Sequence, residues 1–205
     1  MSSVRPLRKV APVEEPSLNV RAMDNLAFIR DTMERAGTFT AVSGWGMVIV
    51  GIAALTAAAI AVRQPTEVGW LNTWLAAAVL APLIMIAAII RKARAARLPL
   101  MSGAGRKFLL SFSPPVIVGA LLTIELYRLG MYAVLPGLWL LIYGTAVVAG
   151  GAYSVRVVPV MGLCFMVAGA IALFTPPTMN DFLMAAAFGG LHIAFGIPIA
   201  RRHGG

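Results

Sequence analysis

The sequence predicts an all-α fold: a polytopic membrane protein built as a six-transmembrane-helix bundle, preceded by an amphipathic helix. Three observations carry that expectation. The 205 residues are 60% hydrophobic and only 12% charged, against about 25% charged residues in soluble domains. The charges that exist bracket six uncharged windows, at 36–62, 68–90, 108–124, 129–155, 157–180 and 182–200. Basic residues also concentrate in alternate connections, as the positive-inside rule requires of a multi-pass chain.

Taken from the N-terminus, residues 1–20 hold Pro6, Pro12 and Pro16 with little apolar content, and read as a disordered cytoplasmic tail. In residues 21–37, Ala22, Leu26, Ile29, Met33 and Ala36 recur at steps of four and three, which draws one apolar stripe along a helix. The opposite face pairs Arg30 with Glu34 and Asp31 with Arg35 at the i, i+4 spacing. Mixed charge suits a juxtamembrane helix packed on protein, its own bundle or a second copy, better than a lipid-surface anchor.

Residues 38–205 form the transmembrane domain. A helix crosses about 30 Å of hydrocarbon with about 20 residues, which places helical cores at Ala41–Val62, Leu71–Ile90, Phe108–Tyr127, Leu135–Tyr153, Val157–Phe174 and Phe182–Ala200. The first is too long, and too far from the start, for a cleaved signal peptide. Pro114 and Pro115 are expected in the first turn of the third helix, where missing amide donors cost little. Pro82 and Pro198 are expected to bend theirs. The stretch 101–107 is expected to be a flexible, headgroup-facing loop, since it lacks the spacing and the preceding strand of a phosphate loop. Fifteen basic residues fall on one side (six before the first span, six in 91–107, then Arg156, Arg201 and Arg202) and only Arg63 and Arg128 on the other. Both termini are therefore expected in the cytoplasm of a bacterial inner membrane. This orientation also accounts for the net charge of +9 without nucleic acid.

Inside the spans, glycines recur every seven residues: Gly37, Gly44, Gly51, then Ala58; Gly137, Gly144 and Gly151; Gly162 and Gly169; Gly189 and Gly196. That period keeps small residues on one helix face, where backbones approach closely, so these faces are the expected packing seams. The second and third spans lack the pattern and are expected at the periphery. A shift of 118 residues matches Gly44, Gly51, Ala54 and Leu55 with Gly162, Gly169, Ala172 and Leu173, the form a repeated helix pair would take.

Polar groups at depth are few. Glu125 falls near the end of the third span with Arg128 three residues on, an interfacial ion pair rather than a proton or substrate site. His192 is expected about 15 Å deep, on the glycine face of the last span. There it is either a hydrogen-bonded structural histidine or the centre of a midplane site, with Tyr143 and Thr145 at similar depth as candidate partners. The lone Cys164 cannot close an internal disulfide and sits off its helix's glycine face. No cofactor or metal is expected, because no helper ligands accompany His192, and no set of acid, base and nucleophile marks an enzyme. The expected partners are the lipid bilayer and a second copy or a larger membrane complex. The expected function is that of an accessory, scaffold or regulatory subunit acting through helix packing, with a small transporter or channel centred on His192 as the alternative.

Overall fold

The computed structural model describes residues 23–29, 33, 42–95 and 103–203. Among them it is all-helical, with six helices long and apolar enough to cross a membrane. The chain is a multi-pass membrane protein. Its helices are α1 (Gly44–Ala61), α2 (Glu67–Ala95), α3 (Gly103–Arg128), α4 (Leu135–Gly151), α5 (Val157–Phe174) and α6. The last joins α-helical Asn180–Met184, a π-helical stretch Ala185–Leu191 and α-helical His192–His203.

Residues 1–36 and 37–205 are separate compact units. In the first, 23–29 are helical, and Leu26, Ile29 and Met33 of the expected stripe are more than half exposed. Ala22, Ala36 and the rest of 21–37, like the tail 1–20 and Gly37, lie outside the described residues.

Local chemistry sets the helix ends. Ser43 caps α1 by accepting from the Gly46 amide at 3.1 Å, as a short hydroxyl at an N-cap does. Gly130, at φ +69°, ends α3 with the amide of Met131 on Leu126 O and its own amide on Tyr127 O, the paired bonds of a Schellman motif. Two expectations are corrected at the other end of α3. Residues 103–107 are helical, not a loop, and Pro114 and Pro115 consequently lie well inside the helix rather than in its first turn. Gly103 to Lys107, ahead of Phe108, extend the helix because a span continues into the interface where backbone bonding still favours it. A helix tolerates interior prolines in a membrane when neighbours re-satisfy the freed carbonyls. Pro82 and Pro198 are also internal.

Two antiparallel seams organise the bundle. Between α1 and α6, a Cβ added to Gly51 would lie 2.7 Å from Gly189 O and 2.7 Å from Ile193; one added to Gly44 would meet Gly196 O and the Ala200 amide. Between α4 and α5, a Cβ on Gly169 would meet Gly137 O at 2.9 Å and Leu141 N at 2.6 Å; one on Gly162 would meet Gly144 O and Val148 N, both at 2.8 Å. The offsets are constant (162 − 44 = 118; 189 − 137 = 52), and they carry the glycine-to-glycine contacts of the first seam onto the second. Gly189 against Leu55 thus corresponds to Gly137 against Leu173, and Gly196 against Val48 to Gly144 against Met166. Gly151 closes on Pro159.

The remaining helices attach to these pairs. α2 lies on α1, where a Cβ on Gly46 would meet Ala88 at 2.7 Å, and Lys92 Nζ donates to Val42 O at 3.1 Å. α3 lies on α4, with Gly119 against Ile142 and Gly150 against Phe108 and Phe112. Half of the apolar window of α1 is buried but only 11% of those of α2 and α3. These two helices stand apart over their halves nearest 62–66 and 129–131, leaving a groove of about 480 Å³.

Candidate functional site

His192 lies inside its 26-residue span, fifteen residues after Pro177 and ten before Arg202. It is 3% exposed. Its ring is held from two sides: Nδ1 is 2.8 Å from Phe188 O and Nε2 is 2.7 Å from the Tyr143 hydroxyl. The His192 amide donates to Gly189 O, three residues back, while its ring reaches the carbonyl four residues back, as the Thr123 and Thr145 hydroxyls do within their own helices. A carbonyl only accepts, so Nδ1 carries the ring proton. Nε2 of the neutral ring is then an acceptor, and Tyr143 donates to it. One tautomer satisfies every group.

Aromatic rings enclose this pair. Phe165, fully buried, sets its edge against Tyr143 at 4.8 Å and against His192 at 5.3 Å; Phe188 lies 5.3 Å from Tyr143, and Phe112 meets it edge-on at 6.1 Å. Tilted and edge-on contacts at these spacings are the favourable aromatic geometries. The pair links α4 to α6, one helix from each glycine seam. Under the offset that relates the seams, His192 corresponds to Leu140 and Tyr143 to Phe195, so the polar bond occurs once only.

Of the other residues singled out from sequence, Thr145 does not join the site. It is exposed, and its hydroxyl turns back to Leu141 O at 2.9 Å, a bond that a threonine makes readily within its own helix. Glu125 and Arg128 pair at 3.4 Å with both side chains more than half exposed. Cys164 is half-buried. Among the described residues no three His, Cys, Asp or Glu side chains cluster as metal ligands would.

A second polar cluster unites residues that lie far apart in the sequence. At the opposite end from Lys92, Trp70 Nε1 donates to Asp181 Oδ1 at 2.7 Å and stacks on Trp139 with centroids 5.7 Å apart. Trp139 Nε1 donates to Thr123 Oγ1 at 2.8 Å, and that hydroxyl donates to Gly119 O at 2.7 Å. Asn180 Nδ2 donates to Ala133 O. One network thereby joins α2, α3, α4 and α6. The available signal was three tryptophans near span ends, with an acid in the first turn of the last span, since tryptophan prefers the membrane interface. Trp74 continues the cluster inward to Phe188, 6.1 Å away.

No protein-family model, curated protein or solved structure matches the chain.

Proposed function

We propose that the protein is an accessory, scaffold or regulatory subunit of an inner-membrane assembly, acting by binding within the bilayer. The observation that carries this reading is the closure of its midplane polar pair: His192 is buried with both ring nitrogens engaged and aromatic rings packed around it. A pair satisfied in this way fixes helix positions. The glycine faces meet one another within the chain, so they offer little to a partner. One surface open to a partner is the lipid-facing side of α2 and α3, where Val79, Leu83 and Val118 are each at least half exposed. Both termini and the basic connections lie in the cytoplasm, a placement supported by the concentration of Arg91, Arg94, Arg106, Arg156, Arg201 and Arg202 at one end of the helices.

The test is to extract the tagged full-length chain under mild conditions and identify what travels with it. A stoichiometric partner, or a second copy cross-linked through Leu83, is the expected result. A solitary monomer showing solute flux in proteoliposomes would overturn it.

A small transporter or channel centred on His192 is the second reading. It is favoured by the π-helical turn beside a midplane histidine, since such turns occur disproportionately at functional sites. Flux abolished by His192→Leu with folding retained would establish it over the first.

A further inference from the structure

The geometry points to the groove between α2 and α3 as a binding site for one acyl chain of a phospholipid, with the glycerol ester region held at Asn72 and Tyr127. This inference is independent of the subunit reading and goes beyond it.

Each wall is a helical stripe. On α2, Val68, Leu71, Asn72 and Leu75 follow the i, i+3, i+4, i+7 spacing that puts four side chains on one face, and they turn toward the groove. On α3, Ala120, Thr123, Ile124 and Tyr127 repeat the same spacing from the other side. Leu71 and Thr123 are buried and make the floor, whereas the other six are exposed along the walls. The groove is two turns tall, about 10 Å at 1.5 Å per residue, or one third of a hydrocarbon layer.

Two helices that show such stripes to one another would ordinarily close. These are held apart by their attachments elsewhere: α2 to α1 at Gly46 and to α6 through Trp70 and Trp74, and α3 to α4 at Gly119 and through Thr123. An unfilled gap forfeits the dispersion contacts of its lining. The gap lies open to the bilayer, whose hydrocarbon is the filler at hand.

The wall composition selects the occupant. Where this chain packs helix on helix it uses glycine, because close backbones need small residues. The groove offers Val68, Leu75, Ile124 and Tyr127 instead, with Ala120 as its one small wall residue. Such walls keep a partner helix at a distance, yet they match a thin, flexible chain. Two polar groups place the rest of the lipid. The Asn72 amide has no hydrogen-bond partner among the described residues and sits about 7.5 Å below the start of α2; the Tyr127 hydroxyl is likewise unengaged, one residue from the end of α3. Both are donors beside the level where ester carbonyls lie. Arg128, next to Tyr127 in sequence, 71% exposed and paired with Glu125 at 3.4 Å, is the cation nearest in sequence for the phosphate.

The experiment uses the full-length protein in nanodiscs of phosphatidylethanolamine containing a few per cent of phosphatidylcholine with a diazirine midway along one acyl chain. After photolysis, labelled peptides are mapped by mass spectrometry. Labelling at 68–75 and 120–127 is expected at least three-fold above that at Leu109 and Val160, which face lipid on other surfaces. Ala120→Phe, which fills the groove, is expected to cut groove labelling at least three-fold and leave the reference positions unchanged. Asn72→Leu, which keeps the bulk and removes the donor, is expected to cut it about two-fold and serves if the phenylalanine variant does not fold. Even labelling over all lipid-facing residues would overturn the proposal. So would groove labelling that neither variant reduces, or protein–protein cross-links from the groove to a second copy.

Discussion

The α4/α5 seam and the α2/α3 groove are both places where two apolar helices face each other, and they end in opposite states. In the seam, Gly144 and Gly162 bring backbones so close that a single added carbon on either would fall 2.7–2.8 Å from the other's carbonyl. In the groove, helical stripes of the same spacing leave a space of about 480 Å³. Hydrophobicity does not separate them. Side-chain size does, because in lipid two apolar faces gain nothing by leaving solvent and small residues are what let their backbones approach.

The largest effect that would break this contrast is expected at Gly144→Leu. Its branched side chain must displace Gly162 or Met166, and overpacking of a tight contact costs about 1–3 kcal/mol or more. Loss of the monodisperse peak, or a large drop in melting temperature in detergent, measures it; a folded, equally stable variant would show that the seam is not tight.

Next in size is His192→Leu, which strips Tyr143 of its acceptor and strands a buried donor, at a cost of about 1–3 kcal/mol. Adding Tyr143→Phe is expected to recover part of that loss, since removing both partners of a buried hydrogen bond is milder than removing one. Thermal unfolding of the wild type, both single variants and the double variant reads the coupling directly. A smaller loss, about 1 kcal/mol, is expected for Trp70→Phe, which keeps the stack on Trp139 but gives up the bond to Asp181. The same unfolding assay applies, with quenching of the remaining tryptophans as a check on local order. Leu75→Ala, on the groove wall, is expected to change stability by no more than about 0.5 kcal/mol, because the side chain faces hydrocarbon in either case. A loss as large as that at Gly144 would mean that the groove is a protein contact.

The same contrast explains how far the sequence could be read. Charge spacing located every span, and Val157–Phe174 to the residue, because a run without charges and a helix long enough to cross are one physical requirement. The ends drifted where a helix continues past the hydrocarbon, as at Gly103–Lys107 and Arg91–Ala95. Heptad phase singled out Gly189, whose added Cβ would strike Leu55, from its neighbour Gly190, which faces open space. Depth arithmetic put Tyr143 and His192 at one level, and they bond. It put Thr145 there as well, but depth says nothing of azimuth, and Thr145 faces outward. The tryptophan network is not legible in the sequence, because Trp70, Trp139 and Asp181 are far apart in the chain and only the folded arrangement of four helices unites them.

The wide turn ahead of His192 has an implication for natural variation. A π-helical stretch amounts to one surplus residue inserted into a helix whose two ends keep their original partners. Excising a residue from 185–191 would return the last span to an unbroken α-helical ladder, with Asn180 and Ile199 still facing the same neighbours. His192 Nδ1 would then share its carbonyl with a backbone amide, the arrangement that Thr123 and Thr145 already show with Gly119 O and Leu141 O. A single codon therefore separates this chain from a version of itself in which the same bundle carries its central histidine on a regular α-helical ladder.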